Sequence, residues 1–135
     1  DLAGGVKAEL ARFFDDMPQL LAAAQLVIGR AGASTVAELT VVGRPSILSP
    51  LPQATDDHQT ANARALESVA ASWLMNQDQF TAEALSARLQ ELFESPESLA
   101  DAARAARDMG QPAAATHLAD AVAALAVTSA NEVAA

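Results

Sequence analysis

The chain has 135 residues, 51% of them hydrophobic and only 4% aromatic, so it has the size of one domain whose core rests on alanine and branched aliphatics. Seventeen acidic against eight basic residues give a formal net charge of -9, and with no run of Lys or Arg this speaks against nucleic acid and anionic lipid headgroups as partners. The absence of cysteine excludes disulfides, thiolate metal sites and a cysteine nucleophile. The charged fraction of 19% is low for a soluble domain and suits one face being covered by a partner. No basic-then-apolar leader stands at Asp1, so no signal peptide is expected. Apolar runs such as Leu20 to Ala24 and Ala121 to Val127 fall short of the ~20 residues a membrane helix needs.

In chain order, short β-branched runs alternate with helical patterns over the first two-thirds, which predicts parallel α/β units. Val6 to Phe13 reads as an edge strand. Asp16, followed by Met17 and Pro18, predicts an N-cap with proline early in a helix running to about Ala24. Gln25 to Gly29 is a nearly continuous apolar run, as a buried parallel strand requires. A helix is expected from Thr35 to Val42, stopped at Gly43. Pro45 to Ser49 reads as the next strand, Pro50 to Thr55 as a loop, Asp57 to Val69 as a helix and Ala71 to Met75 as a fourth strand. Four strands are few for a doubly wound sheet, so further strands are expected upstream.

From Thr81 onward only helical patterns appear. Thr81 caps one helix with Ala84, Leu85, Leu89 and Leu92 on one side. Ser95-Pro96 starts another with Leu99, Ala103 and Ala106. Gly110-Gln111-Pro112 breaks it, and Ala113 to Val127 forms a last, alanine-rich helix. The expected organisation is an α/β core over residues 1–76, C-terminal helices of the same domain over 77–127, and a frayed tail over 128–135.

Ligands of open parallel sheets bind at the loops leading from strands into helices. Three such loops carry polar residues here. In Gly29 to Leu39 (GRAGASTVAEL), small residues around Gly32, Ala33 and Ser34 let a phosphate reach backbone amides at a helix N-terminus, and Glu38 can accept from a ribose diol. The other reading is a capping box between Thr35 and Glu38, which the bare pattern favours. In Leu51 to Ala63, His58 and Gln59 can bind sugar hydroxyls, while Asp56 and Gln59 also fit a cap; Asp56, Asp57 and His58 make no convincing metal set. In Ala11 to Leu20, Asp15-Asp16 reads as an N-cap with a solvated neighbour, and Phe13 and Phe14 as core or as backbone beside a planar base. His117 reads as a surface residue. Spacing alone therefore supports an α/β domain that binds a phosphorylated ligand.

FFDDM, VIGRAGASTVAEL and GRPSILSPLPQATDDHQTANA, in this order from Phe13 to Ala63, resemble the motifs of the C-terminal half of the MurG family of glycosyltransferases, and the helical remainder fits that family's end. The resemblance implies a partial Rossmann-like, GT-B C-terminal lobe with flanking helices. It also implies a UDP-GlcNAc donor, a lipid I acceptor, and inverting transfer that makes lipid II for peptidoglycan. Carried over to this chain, the backbone of Phe14 pairs with uracil, Met17 lines the pocket, and Ala33, Ser34 and Thr35 lie against diphosphate and sugar. Glu38 holds the ribose hydroxyls, and His58 and Gln59 contact the sugar. Many members carry two glutamines at that pair, so His58 is a departure. Helix dipole and loop amides would stabilise the leaving UDP, so no metal ion or other cofactor is expected.

The general base, acceptor contacts and membrane contact belong to an N-terminal lobe outside this chain. The chain alone is expected to be inert, with self-association open, and the intact enzyme to sit on the cytoplasmic face of the bacterial inner membrane. Two other readings stand: the donor lobe of another GT-B lipid glycosyltransferase, and a non-enzymatic α/β interaction module.

Overall fold

The computed structural model describes residues 5–52 and 57–133, with the backbone alone beyond residue 125. In chain order it contains α1 (Met17–Ala23), β1 (Val27–Gly29), α2 (Ala33–Val42), β2 (Ser46–Leu48), α3 (His58–Ser68), β3 (Ser72–Leu74), α4 (Ala82–Glu94), α5 (Pro96–Met109) and α6 (Ala114–Val133). The strands form one parallel sheet in the order β1-β2-β3. Ile28 stands opposite Ile47, and Ile47 opposite Trp73.

Because side chains alternate across a strand, this register sorts the core into two layers. Val27, Leu48 and Leu74 share one face and pack with Leu21, Leu39, Ala63, Leu66 and Ala106. Ile47 and Trp73 share the other face, with Leu92, Phe80, Leu85 and Leu89. The α4 stripe is thus the expected one, and its Thr81 cap forms, the side chain accepting from the Ala84 N–H at 3.2 Å. Helix α5 presents Leu99 to the second layer and Ala105, Ala106 and Met109 to the first. Ala102 is buried, whereas the expected Ala103 is half-buried.

Two glycines set how α5 sits on α2. Gly43 ends α2 in the left-handed region (φ 68), and a Cβ there would lie 2.7 Å from Arg107 Nε. The Arg107 guanidinium donates to the Val42 carbonyl at 3.1 Å, which meets the carbonyl end of α2 with a positive charge. A Cβ at Gly110 would lie 2.7 Å from the Thr40 carbonyl oxygen.

Three expectations are corrected. Among the described residues the sheet has three strands, and residues 6–13 form none: Val6, Leu10 and Phe13 are 57%, 91% and 86% exposed. A strand needs a neighbour for its N–H and C=O groups, and the described strands pair only with one another. Helix α2 begins at Ala33, two residues before the expected Thr35. Helix α6 runs to Val133, through most of the expected tail. Its residues from Ala114 to Leu125 are all exposed, including the apolar Leu118, Val122 and Leu125. Among the described residues no helix is long and apolar enough to cross a membrane.

Candidate functional site

Strand β1 ends at Gly29, and the next three residues turn the chain into α2. Each is held or left open in a specific way. The Arg30 guanidinium donates through Nη1 to the carbonyls of Ser49 (3.1 Å) and Pro50 (3.2 Å), joining this loop to the one after β2. Ala31 is fully buried, and its carbonyl accepts from Asn62 Nδ2 on α3 at 3.0 Å. Gly32 is the N-cap of α2, in extended conformation (φ -62, ψ 149), and no side chain caps the helix.

That geometry removes the capping-box reading of the glycine loop. A capping box needs its Thr at the N-cap, but Thr35 is the third residue of α2 and Gly32 holds the cap position. The Val36 N–H closes the first turn onto the Gly32 carbonyl at 3.0 Å. The N–H groups of Ala33, Ser34 and Thr35 are therefore the orphan donors of a helix start, with the positive end of the helix dipole behind them. Ala33 and Ser34 are exposed and Thr35 half-buried. Gly32 has room beside it, since an added Cβ would find only Thr35 Oγ1, at 3.8 Å. The fold itself does not require glycine at this position.

A groove of about 310 Å³ lies between α1 and α2, lined by Met17, Pro18, Leu21, Ala37, Glu38, Val41 and Val42. It brings Met17 and Glu38 to one place, an apolar slot with a carboxylate on its wall. Phe14 is half-buried in the segment leading into α1, and Phe13 is exposed rather than core. Asp16 does occupy the α1 N-cap position, although its side chain makes no cap hydrogen bond.

His58 and Gln59 open α3, exposed and half-buried respectively. Gln59 Oε1 accepts from the Leu51 N–H at 3.0 Å, so it braces the preceding loop and leaves its amide NH₂ to donate elsewhere. The cap by Asp56 lies outside the described residues. Asp57 stands at the N-cap instead, at φ 54 and without a side-chain cap bond. Among the described residues no group of three His, Cys, Asp or Glu side chains could hold a metal ion. His117 is exposed on α6.

The structure thus gathers Ala33, Ser34, Thr35 and Glu38 on the first two turns of α2, with Met17 across a groove. It also ties the start of α3 to the glycine loop through Asn62. Sequence reasoning missed Arg30 and Asn62. The available signal was a polar Asn next to Ala63 and four residues before Leu66, on the inward edge of a helix.

The chain is similar to known proteins over most of its length. The family model "Glycosyltransferase family 28 C-terminal domain" matches residues 2–122. A UDP-N-acetylglucosamine--N-acetylmuramyl-(pentapeptide) pyrophosphoryl-undecaprenol N-acetylglucosamine transferase of Rhodospirillum centenum is 64% identical over 118 residues, covering 87% of this chain and 31% of the relative. The protein of the same name from Rhodospirillum rubrum is 54% identical over 124 residues, covering 92% and 32%. The crystal structure of Acinetobacter baumannii MurG superposes with a TM-score of 0.76 at 38% identity, covering 83% of this chain and 32% of that one. The chain spans about a third of the length of these relatives. With the family model matching most of its length, the chain belongs to glycosyltransferase family 28, as that family's C-terminal domain.

Proposed function

We propose that this chain is the UDP-GlcNAc-binding part of an inverting glycosyltransferase that transfers GlcNAc to lipid I, giving lipid II for peptidoglycan. The observation that carries the reading is the uncapped start of α2 behind Gly32, beside a groove that holds Met17 and Glu38. The diphosphate would lie on the N–H groups of Ala33, Ser34 and Thr35, with the helix dipole favouring its charge. The ribose diol would donate to Glu38, one turn further along α2. The nucleobase would enter the groove past Met17 and pair with the backbone at Phe14. His58 and the NH₂ of Gln59 would meet the sugar hydroxyls.

In the transfer, an acceptor hydroxyl oxygen attacks the anomeric carbon as the bond from that carbon to the phosphate oxygen breaks. The hydroxyl proton passes to a base outside this chain, and the electron pair leaves with UDP. Charge grows on the diphosphate in that step, so amides already aimed at it lower the barrier without reorganising. The acceptor lipid, the membrane contact and the peripheral position on the cytoplasmic face are assigned to the part of the relatives' length outside this chain. By itself the chain has no transfer activity.

Calorimetry with UDP-GlcNAc against ADP-glucose tests the donor reading. Binding of the first and not the second is expected, and equal affinities would refute it. Self-association is a separate property, supported by the exposed Leu118, Val122 and Leu125 at i, i+4, i+7 spacing on α6. Sedimentation showing a monomer at all concentrations would refute that.

A further inference from the structure

The glycine loop is braced from outside. Arg30 and Gln59 fasten it and its neighbour to backbone carbonyl or N–H groups beyond the turn itself. Among the described residues one bond reaches the peptide that enters the turn: Asn62 Nδ2, one helical turn beyond His58, donates to the Ala31 carbonyl at 3.0 Å. Ala31 is fully buried, and among the described residues this carbonyl has no other partner. A peptide unit is planar, so the Ala31 C=O and the Gly32 N–H point in opposite directions and turn together. Holding the carbonyl toward α3 therefore fixes the Gly32 N–H away from α3. It also sets the direction from which the chain enters α2.

We propose that Asn62 is the positioning residue of the donor diphosphate site, orienting the Ala31–Gly32 peptide so that the amides of the glycine loop and the first turn of α2 converge on one anion. The inference rests on the reading of that loop as the diphosphate cradle. Asn62 touches no phosphate in this account and acts through the loop. A freed loop would lose the phosphate contacts and keep those to the base and ribose, because Met17 and Glu38 are held by α1 and α2 rather than by α3.

The test compares uridine with UDP, binding each to the 135-residue chain and to Asn62→Asp, which keeps the shape and removes the donor. The wild-type chain should prefer UDP over uridine by tenfold or more. In N62D the UDP affinity should fall about tenfold while the uridine affinity stays within about twofold. A wild type without preference for UDP would overturn the diphosphate reading and this inference with it. A wild type that prefers UDP beside an N62D that keeps the full preference would overturn the role of Asn62 alone. Should N62D not fold, the wild-type chain still decides. The Asn62 side-chain NH₂ resonances should shift on adding UDP and not on adding uridine, and unmoved resonances at saturating UDP would overturn the inference.

Discussion

Gly32 and Gly43 flank the same helix, and Gly→Ala has opposite expected consequences at the two positions. At Gly32 the backbone is already in the extended region open to any residue, and a Cβ would approach nothing closer than 3.8 Å. Alanine there narrows the unfolded ensemble, worth about 0.4–1 kcal/mol, and is a poorer N-cap than glycine by a comparable amount. The two offset, so G32A should change stability by less than about 1 kcal/mol. The methyl group would nevertheless stand where a phosphate oxygen must approach the loop amides. Losing one charge-assisted hydrogen bond costs about 1.5–3 kcal/mol, which predicts UDP-GlcNAc binding weaker by roughly 10- to 150-fold. At Gly43 the backbone is left-handed and the Cβ would strike Arg107. G43A should lose about 2 kcal/mol or more, from 1–2 kcal/mol of left-handed strain plus the overlap, with little effect on affinity per folded molecule. Urea unfolding and calorimetry on both variants give the four numbers. The reasoning fails if G32A binds as tightly as wild type, or if G32A is the less stable of the two.

Three further outcomes follow from the same geometry. Glu38→Ala should lower UDP affinity by tenfold or more while changing stability by less than about 0.5 kcal/mol, because Glu38 is exposed and no capping box forms; thermal unfolding beside calorimetry separates the two. Ala70 is exposed at φ 59, so Ala70→Gly should stabilise by about 0.5–1 kcal/mol once left-handed strain is relieved against glycine's added freedom, read as a higher urea midpoint. Thr81→Ala removes a cap bond that does form and should cost about 1 kcal/mol with donor affinity unchanged.

Elements whose signals are local were legible. Gly43 stops α2 through its own left-handed backbone, Thr81 caps α4 with its own hydroxyl, and Pro96 opens α5 at the first helical position. Strands β1 and β2 sit where short apolar runs meet Gly or Pro, and β3 lies inside the apolar run Ala71 to Met75. What failed depended on partners that no local pattern contains. Residues 6–13 have strand composition, but no described strand pairs with them, and Leu10 is left 91% exposed. Thr35 and Glu38 have capping-box spacing, yet the helix starts at Ala33 and the spacing falls inside it. The site divides in the same way. Met17 and Glu38 were singled out separately, and only the packing of α1 on α2 puts them in one groove. Arg30 and Asn62 act across 19 to 31 residues of chain, a range over which periodicity carries no information.

The central claim is that nucleotide-sugar binds where the α2 start meets the α1–α2 groove. An amide-resolved NMR titration of the chain with UDP-GlcNAc tests it most directly. The account predicts saturable shifts at Phe14, Met17, Gly32 to Thr35, Glu38 and Gln59, with Gly110 and the α6 residues from Ala114 to Leu125 unmoved. A folded sample in which Gly32 to Thr35 stay still at millimolar UDP-GlcNAc, or in which the shifts gather on α6 instead, would contradict it.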